Sequence, residues 1–209
     1  MHILAENLAC RRSGRLLFSG VGFALAAGQA LVVTGRNGAG KSSLLAILAG
    51  ALKPAAGILR LVGADERTLP EVVNAVGHRE GLKAMLTAEE NLAFARDVLG
   101  RPALTPRAAL EKLDVAHLAR LPVAYLSAGQ RRRVALARLF VTSRPVWLLD
   151  EPTSALDAPS QALLAALMRE HLANRGLIVA ATHLPLALDG ALTLTVAPPE
   201  PMEEQGEMW

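Results

Sequence analysis

Apolar and polar residues alternate through HILAENLAC (residues 2–10) and VGFAL (21–25), the period of two that predicts antiparallel strands. Gly28 and Gln29 turn the chain into ALVVT (30–34), a short apolar run with β-branched residues and so a buried strand. The period then changes. Across residues 41–52, Leu44, Leu45, Ile47 and Leu48 share one side of a helix that Pro54 stops. ILRLVG (58–63) and VVNAVG (72–77) read as further strands.

From Thr87 onward the pattern is helical. Thr87 and Glu90 have the spacing of a capping box, and Leu92, Ala95, Val98 and Leu99 recur at helical intervals. RAALEKL (107–113), HLARL (117–121) and a long helix at about 128–141 continue the lobe, with Gly100, Pro102, Pro106 and Pro122 as breakers between pieces. VWLL (146–149), bounded by Pro145 and Asp150, is a central strand; 157–173 is a helix, LIVAA (177–181) a strand and TLTV (193–196) an edge strand. Strands alternating with helices predict an α/β fold: a mostly parallel sheet covered on both faces, an antiparallel N-terminal β subdomain and a helical insertion at about 84–142. Residues 1–197 form one expected domain, and 198–209 an acidic, proline-rich tail.

Composition narrows the function classes. Lys+Arg 22 against Asp+Glu 19 gives a formal charge of +3 in 209 residues, too slight for a dedicated nucleic-acid binder, so no nucleic-acid partner is expected. No run of 18 apolar residues is present, and the N-terminal residues lack the pattern of a secretory signal, so a cytoplasmic chain is expected. The one cysteine, Cys10, reads as a small buried residue.

Three segments carry chemistry. Gly35-Arg36-Asn37-Gly38-Ala39-Gly40-Lys41-Ser42, followed by Ser43, fits G-x-x-x-x-G-K-[ST] between a predicted strand and a predicted helix. Its glycines let the backbone curl so that successive N–H groups face phosphate oxygens, and the helix N-terminus adds partial positive charge. Lys41 supplies a point charge to the β and γ phosphates, and the Ser42 hydroxyl is placed to ligate magnesium. Asp150 and Glu151 end an apolar strand, where two adjacent acids need a cation or a reacting water to compensate them. Asp150 suits magnesium; Glu151 suits polarisation of the attacking water. Ser127-Ala128-Gly129-Gln130 has a second capping-box spacing, a helix N-terminus whose free amides and hydroxyl can receive an anion.

The loop GRNGAGKS, the segment LSAGQ with Arg131-Arg-Arg133, the strand VWLLDEPTSALD and the late His183, in this order and spacing, resemble the nucleotide-binding subunits of ABC transporters. The resemblance spans nearly the whole chain and implies a P-loop NTPase fold with a RecA-like core, ATP and Mg2+ as ligands, and a head-to-tail homodimer enclosing two nucleotides. In such a dimer Ser127 and Gly129, with Gln130, address the γ-phosphate held by the partner, Asp157 lies at the seam, and His183 contacts the γ-phosphate of its own chain.

Two departures accompany the resemblance. The aromatic that usually stacks on adenine is replaced by Arg12, with Arg11 beside it, and a guanidinium can stack on a base. The loop that usually carries a Gln sensing magnesium and the membrane partner reads Val76-Gly-His78-Arg-Glu-Gly81-Leu-Lys83. His78 thus belongs to the metal site, acting through hydrogen bonds or water because magnesium prefers oxygen donors. Replacement of that Gln by His, the following Gly-Leu-Lys, and the opening Cys10-Arg-Arg-Ser-Gly-Arg15-Leu-Leu-Phe are similar to one branch, the ATP-binding subunits of haem exporters in cytochrome c maturation. That branch implies a peripheral subunit on the cytoplasmic face of the inner membrane, separate transmembrane permease subunits, and ATP hydrolysis that drives release of a haem-loaded chaperone. The alternatives are the ATPase of another transporter, for drugs, lipids or a nutrient, or a soluble ABC ATPase of DNA repair or translation.

Overall fold

The computed structural model describes residues 1–198; apart from Pro198, the expected tail at 198–209 lies outside the described residues. The chain opens with β1 (His2–Arg12) and β2 (Arg15–Ala26), an antiparallel hairpin whose register runs from His2 opposite Ala26 to Arg12 opposite Arg15. Ser13 (φ 48°) and Gly14 (φ 78°) make its two-residue turn. Both strands outrun the alternating segments. Register shifts between Ala5 and Arg11 break the period of two inside the segment read as alternating, and burial alternates in β1 only over His2–Ala5. β4 (Ala56–Val62) pairs with the other edge of β1 and completes a three-stranded antiparallel sheet.

The second sheet contains β3 (Ala30–Thr34), β5 (Val73–Val76), β6 (Val146–Asp150), β7 (Leu177–Ala181) and β8 (Leu192–Thr195). They lie in the order β5-β6-β7-β3-β8, every neighbouring pair parallel, with β8 at an edge as its sequence predicts. β6 and β7 are buried along their whole length because both faces are covered. Alternate residues serve opposite cores. Val146, Leu148, Leu177 and Val179 face the antiparallel sheet and α1 (Lys41–Leu48), while Trp147, Leu149, Ile178 and Ala180 face the helical side.

That side consists of α3 (Ala88–Leu99), α4 (Pro106–Lys112), α5 (Ala128–Ala137) and α6 (Ala158–Ala173). Thr87, Thr105, Ser127 and Asp157 cap these helices through their side chains, which satisfies amides that a helix start leaves unpaired.

The structure shortens several predicted elements. α1 stops at Leu48 because Gly50, at φ 71°, takes the left-handed turn that closes a helix. The strand expected at 72–77 is β5 alone, preceded by one helical turn, α2 (Leu69–Val72), capped by Thr68 with Glu71. The helix expected to reach residue 141 tightens into a 3-10 turn at Arg138–Phe140, and HLARL keeps only the 3-10 turn Ala116–Leu118. Cys10 is buried and unpaired, as expected. No helix among the described residues is long and apolar enough to cross a membrane.

Candidate functional site

In a parallel sheet all strands deliver their C-terminal ends to one edge. The loop after β3, the acids ending β6 and the Thr182-His183 pair after β7 therefore meet. Except for buried Thr182, they line one cleft of about 790 Å³ that includes Asn37, Gly38, Gly40, Lys41, Ser42, Ser43, Asp150, Glu151 and His183. Arg12 and His78 line it too.

The loop's backbone requires glycine at two places. Gly35 sits at φ 138°, where a Cβ would collide with the Val196 carbonyl, and Gly40 sits at φ 105° with the Phe18 ring 2.8 Å from where its Cβ would lie. This lets Gly40 deliver Lys41 and Ser42 as the first residues of α1, whose amides open into the cleft. Lys41 is buried, and its Nζ donates to the carbonyls of Gly35 (2.7 Å) and Arg36 (3.3 Å). The ammonium is thus held over the loop by weak acceptors that a phosphate oxygen can displace. Gly35, Arg36 and Ala39 shape the loop from behind and do not line the cleft; Ala39 packs into the core.

Asp150 is 8% exposed at the end of β6. Glu151 follows at φ 47°, a left-handed conformation that a non-glycine residue holds only with support. Its N–H donates to Ala181 O (2.8 Å), which turns the side chain away from the sheet toward His183 and Thr182. Glu151 Oε1 lies 3.0 Å from His183 Nδ1, and Oε2 accepts from the Thr182 hydroxyl at 3.1 Å.

The residues of the LSAGQ segment do not join this cleft. Ser127, Gly129, Gln130 and Asp157 line a separate recess of about 220 Å³ with Arg133 and Ser160. Both halves of the expected capping box form: Gln130 N donates to Ser127 Oγ (3.2 Å) and Ser127 N to Gln130 Oε1 (2.9 Å). Gly129 is required by packing as well, because a Cβ would lie 2.8 Å from Ala155 O. Asp157 accepts from Ser160 N at 3.0 Å. Hydrogen bonding from Ser160, helped by the nearby charge of Arg133, holds its carboxyl below the usual aspartate range.

Arg11 and Arg12 separate in the hairpin. Arg11 Nη1 closes the turn on Gly14 O (2.9 Å), leaving Arg12 with Ser13 and Leu17 at the cleft wall. His78 is exposed and borders both the cleft and an adjoining groove lined by Arg79, Glu80, Leu82, Val123 and Arg131.

Magnesium suits the donors present. Ser42 and Asp150 offer hard oxygens in the cleft, and no group of three or more His, Cys, Asp or Glu among the described residues is placed to hold a metal ion without help from a ligand. Magnesium is commonly bound in this way, by one or two side chains with nucleotide phosphates and water completing the shell. His78, a nitrogen donor, fits a neighbouring role better than direct ligation.

Sequence reasoning passed over Thr182, Ser154 and, above all, Arg132. Thr182 is buried beneath Glu151, and Ser154 lines the cleft. Arg132 is 1% exposed; its Nη1 donates to Gly77 O (2.8 Å), Nη2 to Asp150 O (2.7 Å) and Glu151 O (2.8 Å), and Nε to Pro152 O (3.3 Å). Burial lowers its pKa, and the charges of Glu80, Asp150 and Glu151 oppose that shift. The only signal in the sequence was the triplet of arginines, whose middle member faces inward.

The profile of the ABC transporter family matches residues 18–154. The chain is 52% identical, over 189 residues, to the cytochrome c biogenesis ATP-binding export protein CcmA of Rhodopseudomonas palustris (strain HaA2), covering 90% of this chain and 94% of that protein. Among solved structures, a putative ABC transporter ATP-binding protein from Pyrococcus furiosus superposes with a TM-score of 0.80 at 20% identity, covering 94% of this chain and 98% of that one. The dimeric bacterial ABC transporter cassette MJ0796 superposes with a TM-score of 0.74 at 25% identity, covering 87% and 88%.

Proposed function

The chain belongs to the ABC transporter family of ATP-binding proteins, and from that premise we propose that it is the ATP-hydrolysing subunit of the haem exporter of cytochrome c biogenesis. One observation carries the chemistry. A single cleft gathers the phosphate loop, a lysine, two strand-end acids and a histidine. The place in cytochrome c biogenesis is supported by the 52% identity to a protein of that name over nine-tenths of the chain.

The amides of the loop and the start of α1 bind the phosphates, and Lys41 exchanges its two carbonyl contacts for β and γ oxygens. Ser42 and Asp150 would hold Mg2+, which would supply positive charge to the transferred group. Glu151 accepts the proton of the attacking water. His183, whose Nδ1 meets Glu151, is left with Nε2 for the γ-phosphate. Arg12 stacks on the base.

Ser127, Gly129 and Gln130 open into a recess of their own, so a chain's signature serves the nucleotide of a second copy, with Asp157 at the seam. The active unit is a homodimer bound, on the cytoplasmic face of the inner membrane, to separate permease subunits, and its hydrolysis releases haem-loaded chaperone. In cells that depend on this chain, Lys41→Ala will accumulate haem-loaded chaperone and abolish mature c-type cytochrome, both read by haem staining. Normal cytochrome c with the variant as the sole copy contradicts the assignment.

A further inference from the structure

We propose that Arg132 is a positioning residue for hydrolysis: it fixes Glu151 and the His78 loop of its own chain, although the helix that carries it presents its N-terminus to the partner's nucleotide. The second half of that statement rests on the two-chain site proposed above. Arg132 lies in the first half of α5, one turn beyond Ser127. Its guanidinium reaches back through the core to four carbonyls, those of Asp150, Glu151, Pro152 and Gly77.

Three of these belong to the segment that carries the acids, and the fourth immediately precedes His78. Glu151 needs such a support most. Its left-handed backbone is clamped at the N–H by Ala181 O and at the carbonyl by Arg132 Nη2 and Ser154 N. Without Arg132, one of those three bonds is lost, the carbonyl is left to Ser154 N alone, and the carboxylate no longer keeps one position over the cleft. The same side chain fixes Gly77, so the His78 loop, the carboxylate strand and α5 move as one piece.

Its neighbours reinforce the grip: Arg138 Nη1 donates to Glu80 O at 3.0 Å, and Arg131 Nε lies 3.6 Å from the Glu80 carboxylate. Arg132 alone reaches the acids. Because it touches backbone and not nucleotide, it acts on the chemical step through Glu151 and not on ATP affinity. A lysine keeps the charge but cannot span four acceptors with a planar fork.

Mixed dimers separate this role from a simple shaping of the LSAGQ segment. One chain carries Glu151→Gln, so that the other holds the only hydrolysing site. Arg132→Gln in the hydrolysing chain should slow single-turnover ATP cleavage by about 10²-fold, the scale of a reacting group misplaced by about 1 Å, with ATP affinity unchanged. The same change in the Glu151→Gln chain, whose LSAGQ segment completes the hydrolysing site, should leave the rate intact. Arg132→Lys in the hydrolysing chain should give an intermediate loss, and it keeps the test available if Arg132→Gln fails to fold. A loss that is equal in both positions, or confined to the Glu151→Gln chain, overturns the proposal. Ser127→Arg in the Glu151→Gln chain is the independent control: an unchanged rate there contradicts the two-chain site, while the Arg132 comparison still decides whether the residue acts on its own chain's acids.

Discussion

Glu151 and Asp150 are adjacent in sequence yet differently held, and that difference supports the separate roles proposed for them. Asp150 ends β6 with extended backbone and little exposure, a fixed oxygen donor, whereas Glu151 turns left-handed and meets His183 and Thr182. Glu151→Gln preserves the shape but removes the proposed base; it should retain ATP while hydrolysis falls on the order of 10²-fold or more. Single-turnover cleavage of labelled ATP measures this, and a normal rate contradicts the role. His78 has no such contact with the acids and borders the groove beside the helical lobe. His78→Gln should therefore leave ATP binding intact, and His78→Ala should reduce stimulation by the permease subunits more than basal hydrolysis. ATPase rates with and without those subunits provide the comparison. The phosphate-loop residues and the acids were legible because their requirement is local: a glycine at a positive φ, a lysine at a helix start, acids at a strand end. Arg132 and Thr182 were not, since the bonds that tie them to the acids reach residues 18 and 31 positions away.

At the scale of elements, hydrophobic period located every strand of the parallel sheet and all four long helices, and missed where bulges or 3-10 turns interrupt the period. Packing between elements was hidden altogether. His171 of α6 stacks on Trp147 of β6, with centroids 3.8 Å apart and planes 11° from parallel, and its Nε2 lies 3.1 Å from Pro145 O. Burial in this contact lowers its pKa from 6.5 to about 4 despite the opposing bond to Pro145. The unfolded chain thus takes up a proton as pH falls below 6.5 while the folded chain does not until about 4. Stability from this residue is fully present above pH 6.5 and declines as pH drops toward 4, by about 3 kcal/mol in all. Urea unfolding of wild type and His171→Phe between pH 7 and 4 tests this: the wild type should lose the extra stability across that window, and parallel curves for the two proteins contradict it.

The whole molecule is organised around two openings, a nucleotide cleft and an LSAGQ recess, that one chain does not combine. The fold explains why. The cleft lies at the strand ends of the sheet, the recess at the junction of α5 and α6, and each is built from backbone that packs rigidly in its own place, Gly40 against Phe18 and Gly129 against Ala155. Sequence showed both motifs but not this separation, because motif spacing along a chain carries no information about which motifs face the same volume. On the proposed two-chain site, hydrolysis should therefore require two chains. The most direct measurement mixes two inactive variants, Lys41→Ala, which disables the phosphate loop, and Ser127→Arg, which obstructs the recess. Each homodimer has two broken sites, whereas the mixed dimer has one site broken twice and one intact. Mg-ATPase activity should reappear on mixing and peak near equal amounts of the two chains; activity that never rises above that of the separate variants, or full activity in a strictly monomeric wild-type preparation, would contradict a site shared between chains.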